Sequence, residues 1–241
     1  MTAMGHTTSH RPDGFAFVPG VHGFRPAAPR RAAGGRANLA ELGPLATIAT
    51  QQTFAPGAQM IIEGDPAENM FWISAGVVKV YRTLADGRCQ ITGFLFPGDF
   101  LGLASDDAYA SGAVAVGPVT VSRFPRKKVE QLVAASPLVA RLLLRCTCGE
   151  LNAAQNQMLL LGRKTASEKV ASFVMQVLDR TDSDRIVLPM TRTDIADYLG
   201  LTIETVSRTL THLREDDVIA VHRAEIRVLD RAELEVRADA A

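Results

Sequence analysis

Cysteine is scarce in this chain, aromatics are few, and neither sign of charge is in excess. The 241 residues hold three cysteines, at positions 89, 146 and 148. An odd count at that spacing excludes a disulfide scaffold and suits a reducing compartment. No stretch approaches the ~18 apolar residues of a membrane span, and the amino terminus lacks a basic-then-apolar leader pattern, which points to the cytoplasm. Of the five histidines none lies between His22 and His212, so neither a histidine-held haem nor a zinc cluster has its ligands, and no metal is expected. Twenty-six basic residues balance twenty-six acidic ones, for a formal net charge of +0. The overall basic balance usual in nucleic-acid binding is therefore missing, although Arg163, Lys164, Lys169, Arg192 and Arg208 would make a local basic surface if folding brought them to one side. What remains is 47% hydrophobic and 22% charged, ordinary globular composition with length for about two domains.

Residues 1–36 are rich in Gly, Pro, Ala, Ser and Thr, with Arg11, Arg25, Arg30, Arg31 and Arg36 against a single Asp13. No hydrophobic periodicity survives there, so the stretch reads as a disordered basic tail. A tail without function and a weak tether to DNA both stay open.

From Phe54 to Phe124 the pattern changes to short apolar runs between turn signals. Gly64-Asp65-Pro66, Ala75-Gly76, Asp86-Gly87 and Pro97-Gly98-Asp99 separate strand-like runs at Met70–Ile73, Val77–Thr83 and Cys89–Phe96. Asp86-Gly87 between two such runs is a strong hairpin signal, and regular hairpins imply a small antiparallel sandwich or β-roll over residues 37–135. Ser136-Pro137 then opens a helix, serine as cap and proline at the first position, that runs to Leu161 before Gly162, about 39 Å. Two seams run along this helix of residues 136–162. Ala140, Leu144, Thr147, Leu151, Ala154, Met158 and Leu161 form the bulkier, uncharged one; Leu142, Cys146, Gly149, Ala153, Asn156 and Leu160 form the other. Both need burial, so the second is assigned to the β-roll and the first to a second copy in a parallel pair. A buried core helix within a monomer is the alternative.

The richest stretch is LPMTRTDIADYLGLTIETVSRTLTHLREDDVIA, Leu188–Ala220, within the last segment, residues 163–241. Thr193–Leu199 carries Ile195, Ala196 and Leu199 on one side, and Gly200 stops it as a left-handed glycine does. Thr202 caps a second helix, with Thr205 at its third position, so that capping box is incomplete. Leu201, Val206, Leu210 and Leu213 share one face; Glu204, Ser207, Arg208 and Thr211 share the opposite one. Counted from Arg192, a small Ala196 sits fifth, Gly200 ninth and Val206 fifteenth, as the close crossing of a helix-turn-helix requires. A plain helical hairpin has no reason to keep that polar stripe. Arg208 suits a bidentate contact to guanine, Glu204 an amino group of cytosine or adenine, Ser207 either base, and Ile203 a thymine methyl. Arg192, Thr193, Thr202, Thr205 and Thr211 are candidate phosphate contacts.

A β-roll carrying GDPAENMFWISAGVVKVYRTLADGRCQITGFLFPGDFLG, a long helix, and a helix-turn-helix ending in IETVSRTLTHL together resemble the CRP/FNR superfamily of bacterial transcription regulators. LLLGRKTASEKVASF followed by LPMTRTDIADYLGLTIETVSR is most similar to its FNR and FixK branches. The resemblance covers roughly residues 40 to 235. It implies an α+β fold: a cyclic-nucleotide-binding-type β-roll (jelly roll), a dimerisation helix and a C-terminal winged helix-turn-helix with wing strands Ile219–His222 and Glu225–Leu229. It also implies a homodimer that binds double-stranded DNA at a palindrome like TTGAT-N4-ATCAA, and an activator that touches RNA polymerase.

The sensor half departs from the resemblance. Cyclic-nucleotide binders of the superfamily hold the phosphate with an Arg after a Gly-Glu segment; here Gly98-Asp99 is followed by no Arg or Lys until Arg123, and a buried phosphate without such a partner is poorly solvated. An iron–sulfur cluster of the FNR type needs four cysteines, most near the amino terminus. No cofactor is therefore expected, in the FixK manner. Cys146 and Cys148 are candidate redox residues, with packing as the competing role. Two apart on a helix, they cannot bridge within one chain. An enzyme is disfavoured: Asp106-Asp107 and Asp216-Asp217 are neighbours rather than a converging pair, and no phosphate loop or nucleophile set appears. A ligand- or redox-gated regulator of the same superfamily, its β-roll holding a small effector, stays open as the second reading.

Overall fold

In a computed structural model the described residues are 38–103, 107–180 and 183–239. The tail at residues 1–36 and Asp106 lie outside them. A 3-10 segment, Leu39–Ile48, leads into eight strands: β1 (Thr50–Phe54), β2 (Gln59–Ile61), β3 (Asn69–Ala75), β4 (Val78–Thr83), β5 (Cys89–Leu95), β6 (Phe100–Leu101), β7 (Gly112–Ala115) and β8 (Val119–Pro125). These form two four-stranded antiparallel sheets, in the orders β1-β8-β3-β6 and β2-β7-β4-β5.

Strand β3 reads as a continuous apolar run because both of its faces are covered. Phe71 and Ile73 point into the core between the sheets with Val78, Ala113, Val119 and Val121. Met70 and Trp72 point the other way, onto Leu42, Leu45, Phe124, Val129 and Val139. The Trp72 indole donates to the Gly98 carbonyl at 3.0 Å, so its one polar atom is satisfied in that burial. Two glycines are structurally required near β4. Gly76 has φ +88, and a Cβ there would stand 2.3 Å from the Pro118 carbonyl oxygen. Gly87 has φ +83 and closes the β4–β5 hairpin by donating to the Leu84 carbonyl at 2.9 Å. One left-handed residue there, rather than two, makes the turn a type I turn with a glycine bulge instead of a two-residue I′ turn.

Six helices and three strands follow: α1 (Arg126–Ala135), α2 (Pro137–Arg163), α3 (Ala166–Leu178), β9 (Arg185–Val187), α4 (Arg192–Leu199), α5 (Ile203–Glu215), β10 (Ile219–His222), β11 (Glu225–Val228) and α6 (Arg231–Asp239). The long helix starts as its sequence implies, Ser136 Oγ accepting from Val139 N at 3.5 Å with Pro137 at the first position, and runs through Gly162 to Arg163, about 40 Å. Strands β10 and β11 pair in the expected wing, and β9 adds a third strand beside β11. No single helix among the described residues is long and apolar enough to cross a membrane.

The two seams of α2 behave differently. Leu142 and Cys146 pack against the roll, and Leu160 is buried against the last segment. Ala153 and Asn156 of the same expected seam are exposed, and Val139 and Gln157 are buried in their place. A straight helix drifts by about 20° per heptad from a strict seven-residue repeat, so one flat neighbour cannot hold one seam along its whole length. On the other seam Leu144, Leu151 and Met158 are 62%, 59% and 67% exposed, Thr147 and Ala154 are exposed, and Ala140 is half-buried. Leu161, at its end, is more covered, and its Cδ2 stands in ordinary contact distance (3.7 Å) of a Cβ placed on Gly200.

One turn beyond Cys146, Glu150 is half-buried on α2. Burial first, and the Asp99 carboxylate second, push its carboxyl up to about 7. The folded value lies above the ordinary 4.5, so the stability that the neutral acid provides is complete below about pH 4.5 and is lost as pH rises through about 7. Glu150→Gln is therefore expected to stabilise the protein by about 2–3 kcal/mol at pH 8 and to leave it nearly unchanged at about pH 4. Urea denaturation at the two pH values is the check; equal effects at both would contradict the assignment.

Candidate nucleic-acid interface

The helix-turn-helix is built from local capping rules. Thr191 and Asp194 form a full capping box at the start of α4: Thr191 N donates to Asp194 Oδ2 at 2.9 Å, and Asp194 N to Thr191 Oγ1 at 3.1 Å. The helix therefore begins at Arg192, one residue before the Thr193 start read from apolar spacing. The threonine-x-x-aspartate signal was present in the sequence and marks the earlier start. Gly200 ends α4 at φ 61, ψ 42, with Leu201 N donating to the Ala196 carbonyl at 3.0 Å, a Schellman closure. Thr202 then caps α5 alone, accepting from Thr205 N at 3.2 Å, and the two hydroxyls lie 3.0 Å apart.

Burial sorts α5 into the two faces expected. Val206, Leu210 and Leu213 are buried and Leu201 is half-buried, in one core with Ile195, Ala196 and Leu199 of α4. Ile203, Glu204, Ser207 and Arg208 are all exposed, Ile203 to 43%. Among the described residues none of the three polar ones has a hydrogen-bond or ion-pair partner within the chain. This face leaves an apolar group, a carboxylate, a hydroxyl and a guanidinium uncommitted, the side-chain types that can contact base edges.

The candidate phosphate contacts are less uniform. Thr193 and Thr202 are exposed, and Thr205 and Thr211 half-buried. Arg192 is half-buried at the first turn of α4, where burial pulls its pKa down. Lys164 leaves the basic set: its ammonium turns inward to Ser172 Oγ at 2.9 Å and to the Ala238 carbonyl, binding α6 to α3. Sequence reading also passed over Arg223, which adopts φ 55 in the two-residue turn between the wing strands. The two aspartates after α5 show no shared catalytic geometry. Asp216 accepts from Arg237 Nη1 at 2.6 Å, and Asp217 takes φ 57 in the turn toward β10.

The cysteines of α2 diverge. Cys146 packs on the roll, and burial, then Glu150, push its thiol up, away from the thiolate that redox chemistry needs. Cys148 is exposed, and among the described residues all three cysteines are unpaired with one another.

A β-roll joined by a long helix to a winged helix-turn-helix with an open polar stripe defines a DNA-binding transcription regulator. The model of the cyclic nucleotide-binding domain matches residues 51–136, and that of the Crp-like helix-turn-helix domain matches residues 168–237. The chain is 39% identical over 208 residues to the nitrogen fixation regulation protein FixK of Bradyrhizobium diazoefficiens, covering 84% of this chain and 88% of that one. It is 39% identical to the transcriptional activatory protein AadR of Rhodopseudomonas palustris, over 81% and 86% of the two chains. The structure of FixK2 from Bradyrhizobium japonicum superposes with a TM-score of 0.77 at 38% identity, over 80% of this chain and 99% of that one. The chain belongs to the CRP/FNR family of transcription regulators, in its FNR/FixK branch, and it is not an enzyme.

The family implies a cyclic nucleotide in the roll, and the residues here do not fit one. Each of the four basic side chains between Thr50 and Pro125 has a partner: Lys79 on Asp194, Arg82 on Glu63, Arg88 on Asp86, and Arg123 on Asn69. Arg126, just beyond, donates to the Ala67 and Gly102 carbonyls. A phosphate in the roll would compete with these bonds for its cationic partner.

Arg208→Ala is expected to lower affinity for a specific site by about 1–3 kcal/mol and to flatten preference at one guanine. Affinity measured across single-base variants of the half-site is the test; undiminished discrimination at every position would remove Arg208 from the reading set.

Proposed function

We propose that the protein acts in the cytoplasm as a homodimer, binding a palindrome resembling TTGAT-N4-ATCAA without a bound cofactor, and activates transcription by contact with RNA polymerase. The observation that carries this reading is the exposed face of α5. Ile203 is exposed at the start of α5, available for an apolar contact to a thymine methyl, and Glu204, Ser207 and Arg208 have no competing partner among the described residues. Arg192, Thr193, Thr202, Thr205 and Thr211 are proposed to fix the register on phosphates.

The dimer is supported by the exposed seam of α2. Leu144, Leu151 and Met158, one heptad apart, put a large apolar surface in water that a second copy of the helix would cover. A two-fold axis there would place two copies of α5 to read a palindrome. Leu142, Cys146 and Leu160 of the second seam are already engaged with the rest of the chain, which makes that seam the poorer candidate.

The test is a fluorescence-anisotropy titration of the palindrome with wild-type protein and with Leu151→Asp, in chelator, with and without dithiothreitol. Wild-type protein is expected to bind at about 10⁻⁸ M or tighter with no added small molecule, changing less than a few-fold with reductant. Leu151→Asp sets two like charges face to face in the seam, a cost of several kcal/mol, and is expected to give monomers that lose the palindrome. Binding that appears only with a nucleotide, metal or oxidant would replace this reading by a gated regulator. An intact dimer for Leu151→Asp in analytical ultracentrifugation would move the interface to another face.

A further inference from the structure

The β4–β5 hairpin of the roll grips the first helix of the helix-turn-helix, across more than a hundred residues of sequence. Lys79 Nζ on β4 stands 2.7 Å from Asp194 Oδ1 at the start of α4. Gln90 Nε2 on β5 donates to the carbonyl of Asp197, one turn further along. Between and below them Phe94 of β5 packs edge-on against Tyr198 of α4 (5.3 Å between ring centres) and Phe173 of α3 (6.1 Å). A second ion pair closes the far side: Arg180 Nη1 donates to Asp99 Oδ2 at 2.6 Å, with its guanidinium 5.2 Å from the centre of the Phe96 ring.

Asp194 is placed to transmit this grip. The same carboxylate that takes Lys79 on Oδ1 closes the capping box with Thr191 on Oδ2, so it is fixed to the helix it starts. Burial alone would push its carboxyl up; the bonds from Lys79 and from the backbone and hydroxyl of Thr191 outweigh that and hold it below the usual range. The pair is well shielded, with side-chain exposures of 30% and 11%, so solvent screens it less than an ordinary surface pair. The grip falls on α4 and leaves Ile203, Glu204, Ser207 and Arg208 of α5 open. It therefore holds the reading head without covering it.

We propose that Lys79 is a positioning residue for DNA recognition: through Asp194 the roll sets the direction of α4, and with it of α5. This rests on the proposed function above. A conformational equilibrium shifts only through differential interactions, so a regulator that reads DNA without a ligand needs contacts of its own to favour the reading orientation. The hairpin supplies them. In this protein the roll takes the part of a fixed brace where ligand-gated relatives of the fold use an effector.

The test uses full-length protein with Lys79→Met, which keeps the aliphatic stem and removes the charge, and Lys79→Arg as the conservative variant. Two palindromes are compared, one with the four-base-pair spacer and one with the spacer longer by a base pair. Wild type is expected to discriminate between them. Lys79→Met is expected to lose about tenfold in affinity for the first and most of the discrimination, with dimer mass unchanged, and Lys79→Arg to restore both. A merely stabilising contact would move the melting temperature and not the spacer preference. Hydrogen exchange of α4 amides, read on the same proteins without DNA, is expected to quicken in Lys79→Met. Unchanged spacer preference, or tighter binding by Lys79→Met, would overturn the proposal. Should wild type bind no palindrome, the reading of function fails, and the exchange measurement still decides the brace: unaltered α4 exchange overturns it, faster exchange supports it.

Discussion

The contact on which the rest of the structure depends is the burial of Phe94 between Phe173 and Tyr198. It joins a β-roll and a helical segment through one continuous apolar core, with Val77, Ile91 and Phe96 from the roll and Leu160, Val174, Ile195 and Leu199 from the helices. Each edge-on aromatic pair adds about 0.5–1.5 kcal/mol beyond the area it buries, and rings so packed have few other arrangements open to them. Tyr198 is the hinge of this group. Its ring completes the triad, its hydroxyl donates to Gln176 at 3.2 Å, its carbonyl accepts from buried Gln157 of α2 at 2.9 Å, and burial pushes its phenol up to about 12. Roll, long helix and helix-turn-helix meet at one residue.

From that junction the division of labour follows. Among the described residues between Thr50 and Pro125, the roll keeps its four basic side chains, Lys79, Arg82, Arg88 and Arg123, engaged in bonds within the chain. The long helix turns Val139, Cys146, Gln157 and Leu160 inward and leaves Leu144, Leu151 and Met158 in water. The final segment buries the apolar face of α5 and exposes the polar one. The formal net charge of +0 is compatible with DNA binding because bulk charge governs mainly the salt-dependent, sequence-independent part of the affinity.

What was legible in the sequence is what short-range rules control. Gly200, the Thr202 cap, the apolar stripe of Val206, Leu210 and Leu213, and the wing strands all lie within a few residues of the features that specify them. The polar stripe of α5 was readable for the same reason. Other elements were not. Helix α3 buries nine of its thirteen residues, so it shows no stripe to find. Strand β9 spans three residues, too few for alternation to register. The inner seam of α2 was read as a strict heptad, whereas its cover changes from the roll at Cys146 to the helix-turn-helix at Gln157 and Leu160. Lys79, Gln90 and Arg180 carried no signal, because their partners are 115, 107 and 81 residues away and only the tertiary fold brings them together.

On the proposal above, this chain holds its reading helices in the DNA-competent arrangement by its own contacts. Pulsed electron-spin spectroscopy measures it directly, with spin labels at His212→Cys in a chain whose Cys89, Cys146 and Cys148 are serine. In ligand-free dimer the expected result is a single narrow distance distribution that operator DNA leaves in place, consistent with recognition helices one helical turn, about 34–36 Å, apart. A broad or displaced distribution that narrows only when a small molecule is added would contradict the account.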